Sequence, residues 1–512
     1  MKLSIFNSQL SKLIIVLAVC ALTLPAAYAE HLVIIAANDT HSQIEPAADG
    51  KGGVARRRAI YDKIRSENPN TLTIHAGDAV QGTVFFSLYG GEVEYALMDT
   101  LGYDIIVIGN HEFDNGLDSV AYYYKDVKAK KLSANYDFSG TSLDGMFEPY
   151  VIKRVGDKRV GFFGINVTPT GLIADANCKG MRYLPADEVA DATAKYLKEV
   201  QKVDYAVMVS HIGYTAYNPV DPCDTMVIAH SRYIDFVIGG HSHTVIKPGS
   251  GMEYIRNADG KPILVGQNGK SGKIVATYDL DLETGEVRYD HISVDASWDE
   301  AAKAYPAMDA WLAGYREGVD SLMNNPIGHS ARYMKNSSYA AQNWLCDAVM
   351  AILPGISGMK KIDCVIMNKG GIRTDMPQGV ITEGVMLSMF PFDNRFCVVE
   401  LTGQDLIDAL TVMAGRDGDA TSKELTAAYD ANGHIVWAKV KGKKINPKKK
   451  YVVGTIDYLQ KGGDYMTPLG RGRLLWSDTG KYGDHMINYI RALEAKGKLV
   501  DADDTPRMTK VN

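Results

Sequence analysis

The sequence predicts an α/β fold of layered sheets and helices, divided into at least two domains. Three observations carry this expectation. Short apolar runs rich in β-branched residues recur at His31–Ala37, Thr71–Ala76, Asp104–Ile108, Asp204–Val209 and Ile234–Ile238, the pattern of strands buried on both faces. Stretches of helical periodicity separate them, and such alternation argues for layered α/β architecture. The 512 residues also exceed what one hydrophobic core accommodates. A polar cluster follows each apolar run: Asp39-Thr40-His41, Gly77-Asp78, Gly109 to Asp114, Ser210-His211, and Gly239 to His243. Ligands of α/β sheets gather beyond the carboxyl ends of the strands, so the five clusters are expected to converge at one rim.

At the N-terminus, Lys2 and Lys12 flank the apolar stretch Leu13–Leu24, and Ala27-Tyr28-Ala29 follows. This is the pattern of a secretory signal over residues 1–29 with a small-x-small cleavage site, placing the mature start near Glu30. The apolar stretch is short for a membrane span of roughly 20 residues, and residues 501–512 are polar, so no stable membrane anchor is expected. Residues 30–305 read as the first domain. Within it, Pro185 to about Val200 predicts a helix with Val189, Thr193, Tyr196, Leu197 and Val200 on one face. Residues 262–294 turn to hairpin-like strands.

A connector helix is expected over 306–325. Pro306 stands at its start, where a missing N–H costs little. Met308, Trp311, Leu312, Tyr315, Val319 and Leu322 follow at helical spacing, and Asn324-Asn325-Pro326 ends it. Residues 326–512 form the second domain, with apolar segments at Ala340–Ile352, Asp363–Met367, Cys397–Leu401 and Tyr451–Thr455. The basic run Lys441–Lys450 reads as a solvated hairpin tip.

Removing the signal takes away two lysines and no acid. Lys plus Arg falls from 55 to 53 against 61 acids, a formal charge of −8. An acidic exported chain is a poor binder of nucleic-acid polymers, which are held by counterion release. A small phosphorylated substrate is compatible, because metals and local Arg overcome a negative mean. The mature chain keeps Cys178, Cys223, Cys346, Cys364 and Cys397, an odd number without metal-ligand spacing. Export permits disulfides; a Cys178–Cys223 pair and five buried thiols are both open readings.

The clusters carry metal chemistry. Asp39 and His41, two apart at a strand end, point to one side and together hold a cation. Asp78 can bridge two cations through its two oxygens, Asn110 offers a neutral carbonyl oxygen, and His211, His241 and His243 offer ring nitrogens. Mixed N/O ligation suits two divalent ions of the Zn, Mn or Fe type rather than a calcium cage. Each piece alone is weak; five compatible pieces at equivalent strand ends form the signal. Ser42 and Ser210 lack nucleophile partners and read as structural.

The segments Asn38 to His41, Gly77 to Thr83, Gly109 to Asp114 (GNHEFD) and Gly240 to His243 (GHSH) resemble the calcineurin-like metallophosphoesterases, and within them the secreted 5′-nucleotidase family. The resemblance covers essentially the whole mature chain. It implies a metallophosphoesterase β-sandwich flanked by helices, joined by a helix to a smaller α+β substrate-binding domain. It implies one metal on Asp39, His41, Asp78 and His243, a second on Asp78, Asn110, His211 and His241, and a catalytic dyad of His111 and Asp114. Asp114 would orient the His111 ring and favour its protonated form, and His111 would assist departure of the leaving oxygen.

In the second domain, Asn368 to Arg373 resembles the family's NGGGIR loop, Phe390 to Asn394 its PFGN segment and Gly462 to Tyr465 its GGDGF segment. Asn368 and Arg373 are thereby implied in substrate binding, and Phe392 and Tyr465 in gripping a nucleobase. The resemblance also implies a Cys346–Cys364 bridge. One departure stands out: Ser337 or Ser338 occupies a position where the family carries Arg, leaving Lys335 and Lys369 as candidate replacements. The expected function is an exported two-metal nucleotide phosphohydrolase acting on nucleoside 5′-monophosphates, with the helix near 307–322 as its hinge. The alternatives are a 2′,3′-cyclic phosphodiesterase/3′-nucleotidase, a UDP-sugar hydrolase, or a non-enzymatic nucleotide-binding surface protein.

Overall fold

The computed structural model describes residues 31–216 and 221–511; the signal segment and its cleavage site lie outside them. The N-terminal half is built on twelve principal strands: β1 (His31–Ala37), β2 (Thr71–Ala76), β3 (Ile105–Val107), β4 (Lys130–Leu132), β5 (Tyr150–Val155), β6 (Lys158–Asn166), β7 (Tyr205–His211), β8 (Phe236–Ile238), β9 (Tyr254–Arg256), β10 (Pro262–Gly266), β11 (Ile274–Asp281) and β12 (Val287–Ser293). They form two six-stranded sheets, ordered β12-β11-β1-β2-β3-β4 and β9-β10-β8-β7-β6-β5. The central strands run parallel, whereas β11 and β12 add antiparallel edges.

Strand alternation makes the layers. Leu32, Ile34 and Leu72 point inward and meet Phe162, Val207 and Phe236 of the opposite sheet, a sandwich core. Val33 and Ile35 point outward and pack with Ile60 and Ile64 of helix α1 (Val54–Glu67). On the other face Phe163 and Ile165 pack against α2 (Ala186–Glu199). The result is helix, sheet, sheet, helix, with the carboxyl ends of β1, β2, β3, β7 and β8 at one edge.

Helix α2 corrects the face expected from sequence. Its buried stripe is Ala186, Ala190, Ala194 and Leu197, while Tyr196 and Val200 are exposed. Small residues win because the helix lies close on the sheet: a Cβ on Gly161 of β6 would meet Leu197 at 3.2 Å. Helix α3 (Pro306–Met323) starts on Pro306 as expected and sinks Met308 and Leu312 into the N-terminal core, leaving Trp311 against Tyr315 at the surface.

The second half centres on a five-stranded mixed sheet in which Cys364–Met367, Lys450–Ile456 and Phe396–Thr402 are successive neighbours. Helix α4 (Tyr339–Ser357) covers it. Ser338 caps α4, its Oγ accepting the Ala341 N–H, so this serine has a local structural duty. All five described cysteines are free thiols, so neither Cys346–Cys364 nor Cys178–Cys223 is bridged; Cys346 and Cys364 are sealed in the apolar core, and burial pushes both thiols above their ordinary value. No helix among the described residues is long and apolar enough to cross a membrane.

Candidate active site

Beyond the ends of β1 and β2, two loops run side by side. The Asp39 N–H donates to Gly77 O at 2.9 Å and the His41 N–H to Asp78 O at 3.1 Å. Asp39, His41, Asp78, His241 and His243 all adopt left-handed backbone, with φ of 49°, 47°, 56°, 80° and 56°. Non-glycine residues seldom do so, and clusters of them mark functional sites. The close approach also demands glycine. A Cβ on Gly109 would lie 2.2 Å from Asp78 Oδ1, and one on Gly77 2.4 Å from His211 Nδ1.

The side chains form two groups, Asp39 with His41 and His243, and Asp78 with His211 and His241, each with its ligand atoms within 4.8 Å of one another. Asp78 sits between them: its Oδ2 is 3.1 Å from His211 Nε2 and 4.0 Å from His41 Nε2. Asn110 Oδ1 is 2.9 Å from His241 Nδ1. His211 turns Nδ1 to Ala76 O at 2.7 Å and His41 turns Nδ1 to Gln81 O at 3.1 Å, so each Nε2 faces the cleft. Backing carbonyls of this kind fix the tautomer of metal-binding histidines.

The donor set fits two cations. His211 Nε2 is fully buried without a well-formed hydrogen bond, its approach to Asp78 being a charge contact only. Burial opposes charge on His211, but Asp78 and Asp39 push it up to about 10; a cation in the proton's place answers the same carboxylates. Burial alone would raise Asp78, yet the surrounding imidazoles hold it well below the carboxylate range. Burial pushes His241 down to about 3, the neutral form a metal ligand needs.

Glu112, which sequence reasoning passed over, ties the loops together. Its carboxylate accepts the N–H groups of Ala79 and Gly109, both at 2.7 Å, and of Asp78 at 3.2 Å. It thus bridges the loops bearing Asp78 and Asn110. Burial and the nearby Asp78 push it up to about 7. The signal was present in the sequence: an acidic residue inside a turn that buries itself must find backbone donors.

Beside the two groups, His111 Nδ1 lies 2.9 Å from Asp114 Oδ2. Burial works against its charge, but Asp114 and Asp78 raise it above its ordinary value. The His111 ring faces Phe392 of the second half at 6.0 Å between centroids, and the Arg373 guanidinium lies 5.8 Å from the Phe392 ring centre.

Residues 32–245 match the family model for calcineurin-like phosphoesterases, and residues 322–471 that for the 5′-nucleotidase C-terminal domain. The chain belongs to the 5′-nucleotidase family of calcineurin-like phosphoesterases. It is 27% identical to human 5′-nucleotidase, over 95% of this chain and 92% of that protein, and 26% identical to an apyrase of Tabanus yao, over 90% and 91%. Among solved structures it resembles a 5′-nucleotidase precursor from Thermus thermophilus with a TM-score of 0.80 and 26% identity, covering 94% of this chain and 99% of that one. This 5′-nucleotidase family member is a metal-dependent phosphoester hydrolase.

The family's second-domain loops take distinct places here. Phe392 reaches His111, and Arg373 lies over the Phe392 ring. Asn368 donates to Asp464 Oδ2 at 2.8 Å, coupling the Arg373 loop to the Tyr465 loop. Tyr465 donates to Asp221 and packs over Gly171 in the N-terminal half. Asp464 N–H reaches Gly171 O at 2.6 Å. Lys369 is committed elsewhere, its Nζ donating to the carbonyls of Arg416 and Gly418 at 2.6 and 2.8 Å, and Lys335 is exposed.

Proposed function

We propose that this chain is an exported 5′-nucleotidase that hydrolyses nucleoside 5′-monophosphates to nucleoside and phosphate. The observation that carries the reading is the alignment of Phe392, His111 and the two donor groups along one cleft. A nucleotide laid along it puts its base at the aromatic end and its phosphate at the donor end. Asp39, His41, Asp78 and His243 would hold one divalent ion of the Zn or Mn type, and Asp78, Asn110, His211 and His241 would hold the other. Bound ions supply Lewis acidity to the phosphoryl oxygens and ease deprotonation of the attacking water.

The chain's own residues do the rest. His111, kept protonated by Asp114, carries a proton to the ester oxygen as its bond to phosphorus breaks. Arg373 faces charge on the phosphoryl oxygens. Asn368 and Tyr465 complete the nucleoside side, with Phe392 as the stacking surface. Water adds to phosphorus and the nucleoside leaves with its 5′-hydroxyl restored.

The test is a substrate panel of AMP, UDP-glucose and 2′,3′-cyclic AMP on protein stripped with chelator and reloaded separately with Zn, Mn and Co. AMP should be turned over fastest; a preference for the cyclic ester or the sugar nucleotide replaces the reading with the corresponding diesterase or sugar-nucleotide hydrolase. The signal-like N-terminus supports export through a cleaved segment, and N-terminal sequencing of the mature protein should begin near Glu30.

A further inference from the structure

Residues 439–450 hold seven lysines, no arginine and no acid, in a chain whose formal net charge is −6. The fold gives this run a shape. The strand Ile435–Val440 turns back through Lys441 and Gly442, with φ of 50° and 76°, into the short strand Lys443–Lys444, a tight two-residue hairpin turn. Ala438 and Val440 are buried against the core, so Trp437 and Lys439 face solvent together. The Lys439 Nζ lies 5.0 Å from the Trp437 ring centre. Lys444 pairs with Lys439 across the turn. Cross-strand partners share a face, and like charges placed so oppose one another. Val436 and Trp437, at the base of the hairpin, are 57% and 38% exposed.

Few acids meet these lysines. Lys441 reaches Asp363 at 3.6 Å and Lys450 reaches Glu400 at 2.9 Å. Among the described residues Lys439, Lys443, Lys444, Lys448 and Lys449, all exposed, have no carboxylate within ion-pair distance. Of the acids on adjoining segments, Asp405 is paired with Arg471 and Glu424 is half-buried. Lys441 Nζ also donates to Ile362 O at 3.0 Å, which brings the exposed Lys360 and Lys361 beside the hairpin. Lys443 and Lys444 form the edge of their sheet, where lysine discourages pairing with another chain. That duty explains neither the lysines off the edge nor the exposed Trp437 beside them. The patch also lies at the far end of the domain from the substrate loops. Lys450–Ile456 runs parallel to Cys364–Met367, with the lysines at the amino ends and the Arg373 and Tyr465 loops beyond the carboxyl ends. Seven residues of strand set the two ends about 20 Å apart.

The occupant has to be broad, anionic and tolerant of an apolar ring. A Debye length of about 8 Å at physiological ionic strength lets a surface touching the hairpin meet the lysines and not the chain's net negative charge. A nucleic-acid polymer is met best by arginine, whose planar fork matches phosphate, and the run contains none. A lipid headgroup layer suits both features: lysine clusters are drawn to anionic lipid, and tryptophan settles at the boundary between lipid and water. We propose that the hairpin of residues 436–449 is a docking surface for anionic lipid membranes. Its lysines and Trp437 hold the protein there reversibly, while the cleft at the opposite end of the domain stays open to solution. The contact is peripheral and electrostatic, not an anchor. It does not depend on which phosphoester the cleft hydrolyses.

The test is co-sedimentation of the full-length mature protein, with no free metal in the buffer, with vesicles of phosphatidylglycerol and phosphatidylcholine in equal parts or of phosphatidylcholine alone. The protein should bind the mixed vesicles only, and rising salt should release it. Losing one lysine near an anionic surface weakens binding about fivefold, so Lys443→Gln with Lys444→Gln should weaken it about 25-fold. The same exchange at Lys496 and Lys498, an exposed pair elsewhere in the second half, should change binding far less. Both double variants should hydrolyse p-nitrophenyl phosphate like the parent, which also shows that they are folded. On binding, tryptophan emission should move to shorter wavelength in the parent and not in Trp437→Phe. Binding to phosphatidylcholine alone, no binding to either vesicle, equal losses in the two double variants, or an emission shift that persists in Trp437→Phe overturns the proposal. So does lysine-dependent capture of a single-stranded oligonucleotide in place of vesicles.

Discussion

The Nε2 atoms of His41 and His243 lie 2.9 Å apart. They come from strand ends 202 residues apart in sequence and point at one another across Asp39, whose Oδ1 is 3.4 Å from His243 and 3.8 Å from His41. Two imidazoles at that separation require a shared proton or a cation, and two carboxylates beneath favour the cation. Removing divalent metal with a chelator should therefore destabilise the N-terminal domain. At metal concentrations a hundredfold above Kd the linkage is about 3 kcal/mol per site, or roughly 5–10 °C in Tm for a domain of this size. Differential scanning calorimetry with and without manganese checks it; superimposable traces would count against a metal site.

Glu112 predicts a loss of metal without loss of fold. Glu112→Ala leaves the N–H groups of Asp78, Ala79 and Gly109 without their acceptor and frees two ligand loops. Metal affinity should fall about 10–100-fold, as for other residues that support ligands indirectly. Glu112→Gln keeps an acceptor oxygen and should retain more affinity than alanine. Metal titration followed by plasma emission spectrometry separates the three proteins, and circular dichroism confirms that they remain folded.

For the His111–Asp114 pair, His111→Ala should lower kcat about 10²–10⁴-fold. Asp114→Asn should do less damage but alter the pH profile. Burial lowers the His111 pKa and Asp114 raises it, so removing the carboxylate charge moves the pKa down. The protonated imidazole persists below its pKa and is lost as pH rises through it. The alkaline limb of the kcat profile should accordingly shift to lower pH in Asp114→Asn. A limb that stays in place would deny His111 its role as proton donor.

Phe392 separates recognition of the base from chemistry at phosphorus. Phe392→Ala should raise the KM for AMP about 10–100-fold, the range expected for one lost base stack. The same variant should hydrolyse p-nitrophenyl phosphate nearly as well as the parent, because that substrate carries no nucleobase. Equal losses on both substrates would instead indicate that Phe392 supports the His111 ring.

The sequence by itself determined the strand ends and the chemistry attached to them. A strand has a two-residue repeat and a helix one of about 3.6, so apolar runs and their polar termini at Asp39, Asp78, Asn110, His211 and His241 were readable locally, as was the helix opening at Pro306. The buried face of α2 was not. Its alanines carry little hydrophobic signal, and only the sheet's closeness selects them over Tyr196 and Val200. The tertiary structure alone decided which donors share a group, that Glu112 clamps the loops, that Lys369 is engaged by backbone carbonyls, and that Phe392 of the second half faces His111. The physical reason is that each of these depends on a distance between chain segments set by how two sheets and a second domain pack, and no local periodicity encodes such a distance.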